Sequence, residues 1–214
     1  MQYEFLKQQL CLLSERAIWW ENRQMLLVAD VHLGKVGHFR KAGIPIPSQI
    51  HQSDLQLLGY LIAQYKPASL TILGDLFHSK LNSDWNFFEE WLSGYKHLTI
   101  NLVRGNHDII PSVFFERNNI MVYEETWEVA PFIFSHIPLP NEQIGGESYN
   151  LCGHLHPAVA LRGKGKQMLR LPCFYFGQKQ GYLPAFGNFT GTAAIQPKEH
   201  DVVFVITENK VIQV

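Results

Sequence analysis

Met25-Leu26-Leu27-Val28-Ala29-Asp30-Val31-His32-Leu33-Gly34 decides how this chain folds. Five apolar residues give way without a spacer to an acid and an imidazole two positions apart. A short continuous apolar run reads as a strand buried on both faces, and such strands belong to sheets covered on both sides. The same arrangement returns four times. Leu70–Leu73 leads into Gly74-Asp75, Ile100–Val103 into Gly105-Asn106-His107-Asp108, Phe132–Phe134 into Ser135-His136, and Tyr149–Cys152 into Gly153-His154-Leu155-His156. Each run is a predicted strand whose C-terminal end carries polar side chains, and open α/β sheets bind their ligands in the crevice beyond those ends.

Helices fill the gaps between the early runs. Leu55, Leu58, Leu61, Ile62 and Tyr65 recur at helical spacing over Ile50–Tyr65, and Phe87, Phe88, Trp91 and Leu92 do so over Asp84–Tyr95. The later half, rich in short β-runs to Val214, predicts a second sheet. Together they predict an α/β sandwich of two face-to-face sheets flanked by helices. A chain of 214 residues, 46% hydrophobic and 13% aromatic, has enough apolar material for one domain over residues 1–214. The basic stretch Arg162-Gly163-Lys164-Gly165-Lys166 reads as a hairpin tip rather than a linker.

Composition narrows the setting. Met1–Gln9 lacks the apolar core of a secretory signal, and no run approaches the ~20 apolar residues that span a bilayer. Cys11, Cys152 and Cys173 are odd in number and lack a paired spacing, as expected of buried thiols in a reducing compartment. A soluble, cytoplasmic protein without a membrane partner is therefore expected. The net charge of −1 argues against a basic stripe that tracks a long duplex. Bound divalent cations would add positive charge that this count omits.

The polar residues themselves point to metals. A two-metal hydrolytic centre needs about seven ligands around ions ~3.5–4 Å apart, with one carboxylate shared. Asp30, His32, Asp75, Asn106, His136, His154 and His156 supply that set. Residues two apart in an extended segment point the same way, so Asp30/His32 and His154/His156 can each aim two side chains into one cleft if the extension continues past the strand. Mixed carboxylate, imidazole and amide donors suit Mn, Fe or Zn better than an all-oxygen Mg or Ca cage. Two divalent ions are expected, Mn2+ first, with Fe or Zn as alternatives.

These motifs, DVH, GD, GNHD, H and GHLH in that order, resemble the calcineurin-like metallophosphoesterase superfamily. Ala29–Lys35, Gly43–Pro47, Gly74–Ser79, Leu171–Phe174 and Leu183–Gly191 are similar to its bacterial ligase-associated DNA damage response branch. The resemblance implies a four-layer αββα sandwich of two mixed sheets. It implies that Asp30, His32, Asp75 and His156 hold one metal and Asp75, Asn106, His136 and His154 the other, with Asp75 as the bridge. His107 would be the general acid and Asp108 the residue that orients it. A metal-bridging hydroxide would attack a phosphoester in DNA or RNA, making the chain a phosphodiesterase or endonuclease of DNA repair, with a ligase, helicase or exonuclease as partner. One departure is Ser135, where many relatives carry glycine.

Other readings stay open at this level. The same metals serve a phosphohydrolase for small nucleotides or phosphomonoesters, and the same fold can serve as a non-catalytic scaffold. His38, Arg40, Lys41 and His78 lie in loops beside the ligand blocks, where contact with a substrate phosphate competes with a solvated or supporting placement. Trp19-Trp20 reads either as a stacking platform for a base or as part of the core.

Overall fold

The computed structural model describes residues 1–34, 50–78, 81, 83–162, 168–188 and 190–214. Strands β1 (Gln2–Phe5), β2 (Gln8–Leu12), β3 (Ile18–Trp20) and β4 (Met25–Val28) form an antiparallel meander. Helices and strands then alternate: α1 (Ile50–Tyr65), β5 (Ser69–Leu73), α2 (Ser83–Ser93), β6 (Thr99–Val103), α3 (Ser112–Glu116) and β7 (Ile120–Tyr123). Strands β4 to β7 lie parallel in chain order and complete a seven-stranded sheet. The rest is β8 (Thr126–Val129), β9 (Phe132–Ser135), β10 (Tyr149–Cys152), β11 (Pro157–Arg162), β12 (Met168–Phe176), β13 (Gln180–Tyr182), β14 (Ala193–Ala194), β15 (Val202–Ile206) and β16 (Val211–Gln213). These build a second, mixed sheet, in which β9, β10 and β13 are parallel neighbours.

The unbroken apolar run at β4 is explained by its two faces. Alternate residues of a strand point to opposite sides. Leu26 and Val28 enter a core shared with Leu55, Leu58, Leu61 and Ile62 of α1 and Phe88 of α2. Met25 and Leu27 enter the core between the sheets, against Phe132, Phe134, Leu151, Phe174 and Phe204. The two-sheet sandwich is the predicted one, and its helical cover is asymmetric. Helices α1, α2 and α3 all contribute to the core of the first sheet. The outer face of the second sheet carries a smaller cluster of Cys173, Val203 and Val205, packed by Val159, Leu171, Tyr175 and Ile195.

Trp20 is fully buried between the sheets, edge-on to Phe132 at 4.9 Å, and Trp19 packs on Tyr65 at 5.5 Å, so the pair serves the core. The three cysteines are free, and burial pushes the Cys173 thiol up to about 12. Arg162 of β11 pairs with Met168 of β12 across an antiparallel ladder. Residues 163–167 themselves lie outside the described residues, as do His38, Arg40, Lys41 and the Gly43–Pro47 stretch. Among the described residues no helix is long and apolar enough to cross a membrane.

Candidate metal centre

The cleft forms where the parallel strands of both sheets end, and left-handed turns shape its walls. Asp30 (φ 54°), His32 (φ 54°), Asp75 (φ 52°), His154 (φ 66°) and His156 (φ 47°) all occupy the left-handed region. Asp, Asn and His are the non-glycine residues that enter this region most readily, and strain of this kind gathers at functional sites. The expectation of an extended backbone through Asp30/His32 and His154/His156 is therefore corrected. The paired side chains do reach one cleft, but on tight turns pinned from neighbouring loops. The Asp30 N–H donates to the Gly74 carbonyl at 3.1 Å, the His32 N–H to Asp75 at 2.8 Å, and the Leu33 N–H to Leu76 at 2.8 Å. Gly74, with φ 77°, lies so close to the His136 ring that a Cβ there would collide with it.

His136 forms the floor and is 2% exposed. Its Nδ1 lies 3.0 Å from the Leu73 carbonyl oxygen, which only accepts, so Nδ1–H donates and Nε2 presents a lone pair. Around Nε2 stand Asn106 Oδ1 at 3.0 Å, His154 Nδ1 at 3.1 Å and Asp75 Oδ1 at 3.4 Å. The amide and carboxylate oxygens are acceptors too, so lone pairs converge on one another, an arrangement that repels unless a cation lies among them. Burial, and then the neighbouring His136, hold the His154 imidazole below its ordinary value, which keeps its lone pair available. The donor set fits a divalent ion.

At the other end His156 Nε2 approaches Asp30 Oδ1 at 3.2 Å, while its Nδ1–H donates to the Gly191 carbonyl at 3.1 Å. Among the described residues two groups can each close on an ion: Asp30, His32 and His156, and Asp30, Asp75 and His136. Proximity alone puts Asp30 in both. Its approach to His136 is to Nδ1, at 3.9 Å, the nitrogen that carries the proton. Asp75 faces the Nε2 lone pair with Oδ1 and lies 3.7 Å from His32 Nε2 through Oδ2. Asp75 thus stands across the seam between the two ends, as a bridging carboxylate must.

His107 stands on the rim, its side chain 43% exposed and its Nε2 4.0 Å from Asp75 Oδ2. Its ring lies against His78 at 4.4 Å and His32 at 5.6 Å. Asp108 was expected to orient this imidazole, yet its carboxylate is engaged by backbone. Oδ1 accepts from the Phe77 N–H and Oδ2 from the Gly105 N–H, both at 2.9 Å. Asp108 ties the Asp75 loop to the His107 loop and sets the backbone beneath His107. Burial pushes its carboxyl up to about 6, against the pull of those two amides.

Some supporting residues escaped the sequence reading. Asn150 donates to the Ile133 carbonyl and to Ser135 Oγ, both at 2.9 Å, and Ser135 in turn donates to the Ile137 carbonyl at 2.7 Å. The serine before His136 therefore pins the turn that carries this imidazole. A lone amide inside the apolar run Tyr149–Cys152 was the available signal. Gly187 donates its N–H to the Asp30 carbonyl at 3.1 Å, and the next residue, Asn188, donates to buried Asp54 of α1 at 2.6 Å. That pairing joins residues 134 positions apart, and no local pattern announces it.

Residues 24–205 match the family model for calcineurin-like phosphoesterases. The chain belongs to this family. It is a metal-dependent hydrolase of phosphoric esters. Nuclease MPE of Pseudomonas putida is similar over 100% of this chain and 99% of its own, with 33% identity and a TM-score of 0.82. YfcE, a phosphoesterase from E. coli, aligns over 89% of this chain and 97% of its own with 16% identity and a TM-score of 0.46. Among curated proteins no significant match is found.

Proposed function

We propose that this phosphoesterase is a phosphodiesterase that cleaves nucleic acid, single strands in preference to long duplex, in DNA repair. The observation that carries the reading is the ring of lone pairs around His136 Nε2, in a chain 33% identical along its length to a nuclease. Asp30, His32, Asp75 and His156 would hold one divalent ion, and Asp75, Asn106, His136 and His154 the other, with Mn2+ as the preferred metal. When bound, two such ions lower the pKa of water toward neutrality and neutralise phosphate charge. The chain's own contribution is placement. Left-handed turns hold the carboxylates and imidazoles in advance, so no rearrangement is needed when charge develops on the phosphate.

His107 would donate the proton to the leaving oxygen. Its exposure relative to the floor suits this role: the ring reaches solvent at the rim while the His107 backbone N–H donates to Asp75 Oδ1 at 2.9 Å. Asp108 would serve by fixing the loop. Cytoplasmic placement, and partnership with a ligase, helicase or exonuclease, belong to the same reading. The test is a panel with the Mn2+-reconstituted protein on single-stranded DNA, bis-p-nitrophenyl phosphate, p-nitrophenyl phosphate and cyclic nucleotides. Cleavage of DNA and of the diester above the monoester is expected. Preference for the monoester would assign a phosphomonoesterase, and a fully metallated protein inert on every substrate would assign a scaffold.

A further inference from the structure

Arg104 joins β6 to the loop that carries His107, and its guanidinium is spent on that loop. Nη1 donates to the carbonyl oxygens of Asp108 and, at 3.0 Å, Ile110. Nη2 donates to the Ser112 hydroxyl, and Nε pairs with the Glu124 carboxylate at 2.8 Å. Ser112 donates to the other oxygen of Glu124 at 3.0 Å, closing the ring of contacts. The guanidinium also lies over the Phe115 ring, 5.9 Å from its centroid, and the Arg104 N–H donates to the Tyr123 carbonyl at 2.8 Å. A rigid planar fork can hold several acceptors at once, and the point charge of lysine cannot replace it.

The loop is thus gripped from two sides. Arg104 takes its carbonyls, while the Asp108 carboxylate takes the amides of Gly105 and Phe77. His107 sits between these grips, its N–H on Asp75 Oδ1. We propose that Arg104 is a positioning residue for His107: through the loop backbone it fixes the height and tilt of the imidazole over the cleft. The proposal rests on the reading of His107 as the proton donor. Arg104 contacts main chain, Ser112, Glu124 and the Phe115 ring and no side chain of the proposed metal set, of which Asn106 alone shares this loop. Misplacing a reacting group by ~1 Å can cost ~10²-fold in rate, which makes such a grip consequential.

The test uses the Mn2+-reconstituted full chain, with kcat, KM and metal content measured on a single-stranded oligonucleotide and on bis-p-nitrophenyl phosphate. Arg104→Met is expected to lower kcat on the oligonucleotide by about 10–100-fold, with KM within about twofold, two metals retained and a smaller loss on the activated diester. Arg104→Lys should not restore the rate. The double variant with His107→Ala should be no slower than His107→Ala alone, because nothing is left to position. Glu124→Gln, at an exposed carboxylate, should give about a two- to fivefold loss with the same substrate pattern. If Arg104→Met does not fold, the Glu124→Gln and His107→Ala cycle decides instead. Defects that multiply in the double variant, or a loss equal on both substrates, would overturn the proposal. An equal loss on both substrates in His107→Ala itself would sink the proton-donor reading, while the cycle would still show whether Arg104 acts through His107.

Discussion

His136 and His107 both face Asp75, at 3.4 and 4.0 Å, and are built in opposite ways. His136 is 2% exposed, its Nδ1 proton is committed to the Leu73 carbonyl, and its Nε2 faces three other heteroatoms. His107 has a side chain 43% exposed, and what is anchored firmly is its backbone rather than its ring. A ligand needs a fixed lone pair and gains from burial, because a dry surrounding strengthens its hold on a cation. A proton donor needs contact with substrate and with solvent to be recharged. On the proposed reading, burial and a committed Nδ1 suit His136 to hold a cation, and exposure at the rim suits His107 to give up a proton.

The strongest way to break this contrast is at the carboxylate between the two histidines. Asp75→Asn is expected to lower turnover by at least ~10²–10³-fold and to strip metal from both ends of the cleft. Metal analysis by ICP mass spectrometry should read about two ions per chain for the reconstituted protein and fewer than one for the variant. Asn106→Ala should be milder, losing one ion. Retention of both ions with normal turnover in Asp75→Asn would remove Asp75 from the seam.

Rim and floor separate next. His107→Ala should keep its metal and lose roughly 10²–10⁴-fold in kcat on substrates with poor leaving groups, with a smaller loss on p-nitrophenyl esters. Loss of metal in that variant would move His107 to the floor and erase the distinction. Gly74→Ala probes the floor without replacing a residue of the proposed metal set. A Cβ there meets the His136 ring at a φ of 77°, so about 1–3 kcal/mol of stability should be lost along with metal affinity. Chemical denaturation with and without Mn2+ measures both.

The smallest effect on turnover is expected at a buried carboxylate outside the proposed metal set. Burial pushes Asp54 up to about 6 despite Asn188 and Arg16, whereas an unfolded aspartate titrates near ~3.9. Between those values the folded chain holds a proton that the unfolded chain releases. Stability from this group is therefore complete below about pH 4, declines as pH rises toward about 6, and is lost above it, a change on the order of 3 kcal/mol. Asp54→Asn should flatten the stability profile over that window in denaturation series run at several pH values. An unchanged slope would show that Asp54 does not titrate there.

Strands that lead into the candidate site residues were legible because burial on both faces leaves an unbroken apolar run, as at Met25–Val28 and Phe132–Phe134. Helix α1 was legible to the residue, since one apolar stripe repeats along it. The first two strands were not. Gln2, Glu4, Gln8 and Gln9 give β1 and β2 a half-exposed, polar pattern that local reading cannot tell from coil. The pinning of Asp108 on Phe77, and of Asn188 on Asp54, was equally hidden, because each joins positions far apart in sequence.

What the sequence determined by itself is the inventory and its order: which side chains can bind a cation, and that each follows a strand. This is so because donor chemistry belongs to the residue and strand burial writes itself into a short local pattern. Only the tertiary structure decided the left-handed turns at Asp30, His32, Asp75, His154 and His156, the approach of Asp75 to both His136 and His32, and the engagement of the Asp108 carboxylate with the Phe77 and Gly105 amides. Those depend on which nitrogen carries a proton and which loop lies opposite. Both are set by contacts between segments that meet only when the two sheets close on one another.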